Sequence, residues 1–454
     1  MRRRFVYALL TAALGLNLLV GARVYQASAQ AAARDNAYPS LELFSYVLEK
    51  VRSEYVDGTN VTYQELINGA LKGMINTLDP HSEFMEPEKY KELQDDTEGA
   101  FGGVGIMIQL KEHTITVISP IEDTPGFRAG IMAGDRITKI DGKSTEKMTL
   151  PDAVKSLRGV PGTEVTITIQ RPGNGAVREA KLTRAIINVD SVKDINSKKE
   201  FPLGEDKIGY IRVIQFSEKT SDELDTALEK LQKQGMRALI VDLRWNPGGL
   251  LDQAVEVCQK FLPRGKLVVT TEGRSPGQSS VRNAMGHGDV LVDKTGVPLP
   301  LVIIANVNSA SAAEIVTGCL QDWKRGIVLG EKTFGKGSVQ SVLPLTGGAG
   351  LRLTTAKYYT PSHKVIHEHG IEPDIFVPMT DDEERDVILK RMPGGLDTIE
   401  EKDRERVKNS RDLQLDRAVD LLKGIMLYAQ LDSAEGNSKS PGKVAARQPE
   451  SLNR

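Results

Sequence analysis

Ser309 and Ser311 open an apolar run, Asn308-Ser-Ala-Ser-Ala-Ala-Glu-Ile-Val316, and Lys336 follows Ser311 by 25 positions, set between two glycines. A serine hydroxyl attacks a carbonyl only when a neighbouring base takes its proton, and this stretch holds no histidine. A lysine can be that base if it is neutral, and burial favours the neutral amine because the ammonium loses its water. Serine–lysine pairs are an established variant of triad chemistry. The same residues also read as structure alone. Ser311-x-x-Glu314 fits a capping box at a helix start, and Gly-Lys-Gly fits a tight exposed turn. Placement favours chemistry. Leu301-Val-Ile-Ile-Ala-Asn306 reads as a buried strand, so Ser311 falls at a strand's carboxyl end, where α/β sheets carry their functional loops. A helix beginning there also stabilises negative charge on the serine oxygen.

Two such loops come together only if the strands before them are neighbours. Residues 207–216 (KIGYIRVIQF), 238–244 (ALIVDLR), 301–306 and 326–331 (GIVLGE) are strand-like, and amphipathic helices at 220–235 and 251–262 separate the first three. Strands alternating with helices predict an α/β core with parallel pairing. Asn246-Pro-Gly-Gly249 is the turn from the second strand into its helix, and 338–359 is a glycine-rich hairpin. Upstream, 102–110, 114–121 and 165–171 are short strands, 124–143 is crowded with turn signals, and 150–159 is a short amphipathic helix. Residues 40–75 carry Leu41, Phe44, Val47, Leu48, Val51 and Tyr55 at helical spacing, then a second helix after the break at Asp57-Gly58. After Pro378 the chain is charged and helical, and from 433 it reads as a disordered tail.

The serine and lysine segments resemble those of the C-terminal processing peptidases, the tail-specific family of serine peptidases. Ser309-Ala-Ser-Ala-Ala-Glu314 and Thr333-Phe-Gly-Lys-Gly-Ser-Val-Gln340 stand where that family has S-A-S-A-S/A-E and T-F-G-K-G-x-V-Q. The resemblance implies Ser311, the second serine, as nucleophile and Lys336 as base, with Gln340 orienting the lysine. It implies a backbone oxyanion hole with one donor from Ala312 and a second from Gly248 or Gly249 in Asp242-Leu-Arg-Trp-Asn-Pro-Gly-Gly249. The middle unit resembles a PDZ domain in Gly103-Val104-Gly105-Ile106 and in Ala129–Gly142, which implies a loop whose N–H groups take a terminal carboxylate while the peptide adds as a strand. Ile106, Ile108, Val154 and Leu157 are the expected apolar pocket, and Arg158 either answers a carboxylate or braces the PDZ unit on the core.

The implied fold is an α/β, crotonase/ClpP-like protease core with an inserted PDZ domain, an N-terminal helical segment and a C-terminal helical tail. The spans are 1–35 for a signal peptide or anchor, 36–98 helical, 99–186 PDZ, 187–378 protease core, 379–432 helical and 433–454 tail. The activity expected is a serine endopeptidase acting on the C-terminal regions of exported or membrane-associated proteins. A catalytically inactive PDZ adaptor of the cell envelope competes with it, as does a crotonase-type enzyme acting on acyl thioesters, although neither accounts for all the motifs.

A net charge of −2 and 5% aromatic residues exclude a nucleic-acid partner. Arg2-Arg-Arg4, an apolar run to Val20 and Ala27-Ser-Ala29 have the build of an export signal, cleaved after Ala29 or kept as an anchor, and either places the rest in the periplasm or cell envelope. Cys258 and Cys319 sit in apolar helical patterns and are expected as separate buried thiols. His363, His367 and His369 are a poor metal set without a carboxylate or thiolate to complete it, so neither metal nor cofactor is expected. Expected partners are protein substrates engaged by their C-termini and an adaptor or activator protein. The apolar helical ends favour a homo-oligomer over a monomer.

Overall fold

The structure is a computed structural model. It describes residues 37–438 apart from 58–60, 112, 122–123, 133, 173–176, 287 and 393–394. The export signal expected at 1–35 lies outside the described residues. Among the described residues no helix is long and apolar enough to cross a membrane. The chain divides into Met1–Phe84 and Met85–Arg454.

In the first unit, helices Ala37–Glu54 and Tyr63–Asn76 lie where the apolar spacing predicts them. Thr62 and Glu65 close a capping box at the start of the second helix. Leu41, Phe44, Val47 and Val51 remain exposed along the first.

The second unit is built on a central sheet whose strands Ile208–Val213, Ala238–Asp242, Leu301–Ala305, Ile327–Gly330 and Ile375–Phe376 are parallel neighbours in that order. The short strand Val192–Lys193 adds antiparallel at one edge. Each central strand is apolar on consecutive residues because both faces of the sheet are covered. Ile211, Leu239, Val241, Ile303 and Val328 pack on one face in a core shared with helices Thr220–Lys233, Leu251–Gln259 and Ala312–Asp322. Tyr210, Ala238, Ile240, Val302, Ile304 and Leu329 form the other face, closed by Ala418 and Leu422 of the helix Leu413–Ser438. That C-terminal helix therefore belongs to the second unit's own core.

The PDZ unit is a sheet of Ile106–Lys111, Thr114–Pro120, Arg136–Ile140, Glu164–Gln170 and Val177–Thr183, with helix Leu150–Leu157 packed on it around Ile115, Val117, Ile137, Ile167 and Ala153. Where the chain comes into this unit and leaves it, Ala100–Gly103 pairs antiparallel with Ala185–Asn188. An inserted domain whose two connections are hydrogen-bonded to each other has a neck.

Two details differ from the sequence expectations, while Asp381–Arg391 is a helix within the helical region expected after Pro378. Arg136–Ile140 is a strand inside a segment that reads as turns. The tail expected from 433 is helical as far as Ser438, and 439–454 lie outside the described residues.

Candidate active site

Three loops leave the carboxyl ends of three adjacent parallel strands. Asn246–Gly249 follows Ala238–Asp242, Ser309–Ser311 follows Leu301–Ala305, and Thr333–Gly337 follows Ile327–Gly330. The loops are bonded to one another as well as to their strands. Ala310 N donates to Asn246 O at 2.9 Å, and Phe334 N to Ser309 O at 3.1 Å. Ser309 is fully buried and holds its loop, with Oγ donating to Leu243 O at 2.8 Å and accepting from Asn306 N at 3.0 Å.

Ser311 stands at the turn into helix Ala312–Asp322 with φ 55° and ψ −116°. An L-residue pays strain for a positive φ, and such residues are held only where their surroundings over-determine them. Glu314 is a large part of that restraint. This carboxylate is fully buried and accepts from Ser311 N at 2.9 Å and Lys336 N at 2.8 Å on one oxygen. On the other it accepts from Gly335 N at 2.7 Å and Thr333 Oγ1 at 2.6 Å. Burial pushes the Glu314 carboxyl up, and these four donors oppose that shift. One side chain thus fixes the serine turn and the lysine loop to the same point. The sequence gives Glu314 only as the last residue of a capping box, whose bond from Ser311 N is one of these four.

Lys336 is half-buried and makes no side-chain hydrogen bond or ion pair among the described residues. Burial holds its ammonium below the ordinary lysine range, and the Arg352 charge adds to that, while the Glu314 carboxylate works against it. Tyr358, fully buried, donates to Lys336 O, and its hydroxyl also lies against Ser311. Burial pushes the Tyr358 hydroxyl well up, so it remains a donor.

Opposite Ser311, Gly248 has φ 99°, and a Cβ there would stand 2.7 Å from Ser311 Cβ and 2.9 Å from Ala312 N. Glycine is needed for both the conformation and the approach. Gly248 N is already given to Asn246 Oδ1 at 2.8 Å. Ala312 N and Gly249 N donate to no acceptor among the described residues. Ser311, Ala312, Gly248, Gly249, Lys336, Gln340 and Arg352 all line one open cleft of about 790 Å³. Gln340 points its Nε2 at Ser338 Oγ, 2.8 Å, and Thr354 Oγ1, 3.4 Å, so it makes no hydrogen bond to Lys336 here.

Residues 207–377 match the model of peptidase family S41, and residues 116–171 match that of a PDZ domain. The carboxy-terminal-processing protease of Bartonella bacilliformis is 44% identical over 346 residues, which are 75% of this chain and 76% of that one. This chain belongs to peptidase family S41. It is a serine peptidase with a PDZ domain. The carboxyl-terminal-processing protease of Synechocystis is 34% identical over 381 residues, 80% of this chain and 86% of that one. The carboxy-terminal processing protease CtpA of Bacillus subtilis is 34% identical over 334 residues, 73% and 68% of the two chains.

In this S41 peptidase the PDZ loop has the form the sequence suggests. Gly103, Val104 and Gly105 precede the strand that starts at Ile106, Gly105 has φ 69°, and a Cβ there would meet Thr124 at 2.3 Å. Val104 N and Gly105 N donate to no acceptor among the described residues. Ile106 and Ile108 pack against the PDZ core, with Leu157 inside it. Arg158 touches the PDZ unit's own entry strand and the helix Pro87–Glu98 that precedes it. It lies 4.3 Å over the Phe101 ring and 3.6 Å from Asp96, a residue of the cleft wall.

The histidines disperse. His363 Nε2 is 3.0 Å from Glu272 Oε1 and its ring stacks on Tyr359, while His369 Nδ1 is 2.8 Å from His367 O. No group of three potential metal ligands occurs among the described residues. Cys258 and Cys319 are free, buried and side by side, and burial pushes the Cys258 thiol well up.

Proposed function

We propose that this S41 peptidase hydrolyses the C-terminal regions of exported or envelope proteins with a Ser311–Lys336 dyad. The supporting observation is the convergence, at three neighbouring strand ends, of a serine on a strained turn, a lysine held toward its neutral form, and two unengaged backbone donors. Neutral Lys336 takes the Ser311 proton as Oγ bonds to the scissile carbonyl carbon. The carbonyl oxygen becomes an oxyanion facing Ala312 N–H and Gly249 N–H, since Gly248 N–H is engaged by Asn246. The lysine ammonium then gives its proton to the departing amine, the C–N bond breaks, and an acyl-Ser311 ester remains for water to hydrolyse. Gln340, on the cleft wall, presents an Oε1 that can accept from the lysine ammonium once it forms.

In the same reading the PDZ unit, 99–186, takes the substrate's terminal carboxylate on Val104 N–H and Gly105 N–H, and the core, 187–378, cleaves upstream of it. A matched pair of peptides, free acid and C-terminal amide, tests this. A hydrogen bond to a charged group contributes about 1.5–3 kcal/mol. The amide should lose about tenfold to a hundredfold in kcat/KM, since each ~1.4 kcal/mol is about tenfold. Equal rates would leave the PDZ unit as a scaffold-binding module.

The electrostatics of the base give a second expectation. Burial and the Arg352 charge both hold Lys336 below its ordinary value, so activity rises as pH climbs through the lysine's folded pKa. Arg352→Gln removes the like charge, and the lysine's pKa moves up. The midpoint of the kcat pH profile should then shift to higher pH, and Arg352→Lys should restore it. A uniform loss of rate at every pH would assign Arg352 to substrate binding instead.

A further inference from the structure

The matched family segment stops at residue 377, yet the loop opposite Ser311 is tied to residues well beyond it. Arg244, two residues before Asn246, is buried with its guanidinium divided between two carboxylates. Its Nε and Nη2 reach Asp242 at 3.0 and 2.6 Å. Its Nη1 and Nη2 reach Asp412 at 2.9 and 2.8 Å, and Nη1 also reaches Gln414 Oε1 at 3.1 Å. Arg391 completes the group, with Nη2 on Asp412 at 2.7 Å and Nη1 on Tyr210 Oη at 2.9 Å, and Tyr210 donates to Asp242 at 2.6 Å. Burial would push Asp242 and Asp412 up, but the Arg244 charge and hydrogen bonds hold both below the usual carboxylate range. The charges at this end of the strand are therefore fixed as ions.

We propose that Asp412 is a positioning residue for the oxyanion loop, acting through Arg244. The route is short. Arg244 sets the chain at the end of strand Ala238–Asp242, and the next turn is Asn246-Pro-Gly-Gly. Asn246 gives its Nδ2 to Val213 O at 2.8 Å and takes Gly248 N on its Oδ1, while its backbone oxygen takes Ala310 N. The two free donors, Ala312 N and Gly249 N, are set relative to one another through that asparagine. A bidentate arginine between two carboxylates fixes direction as well as distance, which a single apolar contact at this position would not do. Without Asp412, Arg244 keeps Asp242 but loses the anchor that stops it from swinging with its loop. No chemistry at Ser311 Oγ or Lys336 Nζ is altered, so the defect is one of transition-state geometry.

The inference rests on the Ser311–Lys336 reading, and the experiment separates the two. Full-length Asp412→Ala, Asp412→Asn and, as a stability control, Leu422→Ala are compared with wild type. Leu422 is fully buried in the core on the sheet's second face and forms no part of the hydrogen-bonded group around Arg244. Each is assayed below its melting transition for kcat, KM and the pH midpoint on one free-acid peptide, and for labelling by a serine-directed fluorophosphonate. Displacement of a catalytic group by about 1 Å can cost about 10²-fold, so Asp412→Ala should lose about that in kcat. Its KM should stay within about threefold, the signature of an interaction made only in the transition state, and its pH midpoint should stay where it is. Asp412→Asn, which keeps one acceptor for Arg244, should fall between, and it carries the test if the alanine variant does not fold. Leu422→Ala should melt earlier with kcat nearly unchanged. Wild-type kcat in both Asp412 variants, or the same loss of kcat in Leu422→Ala, would overturn the inference. A shifted pH midpoint would also overturn it by moving the effect to Lys336. Failure of the dyad reading has a different mark: wild type itself would not label at Ser311.

Discussion

Replacing Ser311 by alanine should lower peptide hydrolysis by about 10⁴- to 10⁶-fold, the range seen when a nucleophile is removed from a hydrolase that keeps its oxyanion hole. The fold should survive. The turn is held by Glu314 on the backbone N–H of residue 311, which alanine retains, and alanine meets the positive φ at much the same strain as serine. Ser309→Ala is the informative contrast. Ser309 is buried and bonded to Leu243 O and Asn306 N, so its removal leaves buried polar groups unpaired at a cost of about 1–3 kcal/mol in stability. It should melt earlier and, while folded, keep most of its activity and its fluorophosphonate labelling. Activity lost in Ser309→Ala and kept in Ser311→Ala would transfer the nucleophile to the other serine.

Lys336→Arg should be as inactive as Lys336→Ala, again by orders of magnitude. Arginine preserves length and much of the contact with the cleft, but its guanidinium stays protonated at any working pH and has no lone pair to receive the serine proton. The sign of the pH dependence supports the same assignment. Burial and Arg352 depress the lysine's folded pKa, with Glu314 opposing, so wild-type kcat rises with pH as Lys336 loses its proton. Any residual rate in the two variants should lack that limb. A pH–rate curve of unchanged shape in Lys336→Arg would mean that some other group is the base.

The parts of the fold legible in the sequence are those where period and burial agree. Ala238–Asp242 and Leu301–Ala305 are unbroken apolar strands because both sheet faces are covered, and helix Thr220–Lys233 keeps a clean stripe in Leu224, Ala227, Leu228 and Leu231. Arg136–Ile140 is hidden because Arg-Ile-Thr-Lys-Ile is short and flanked by Gly134 and Gly142, so turn signals overwhelm its alternation. Helix Asp381–Arg391 is almost uniformly charged and owes its place to a capping box at Thr380 and Glu383 and to Val387 in the core. Within the site, Ser311, Lys336 and the glycines are carried by motif and spacing. Glu314, Tyr358, Arg352 and Asp412 are not, because each gains its importance from a contact across the sheet or the cleft that no local pattern encodes. Glu314 is the nearest to an exception: a capping box announces a bond to the helix start, but not three more to the lysine loop.

The cover on the sheet's second face also has a bearing on timing. Arg244 and Asp412 are 168 residues apart, and at about 5–20 residues per second a ribosome needs roughly ten to thirty seconds to make that interval. Through it, Ala238 and Ile240, and Val302 and Ile304 once they are made, have no Ala418 or Leu422 to lie against. The nascent chain can contain both Ser311 and Lys336 while the sheet beneath them is still bare on one side. The sheet's second face closes only once helix Leu413–Ser438 has been made.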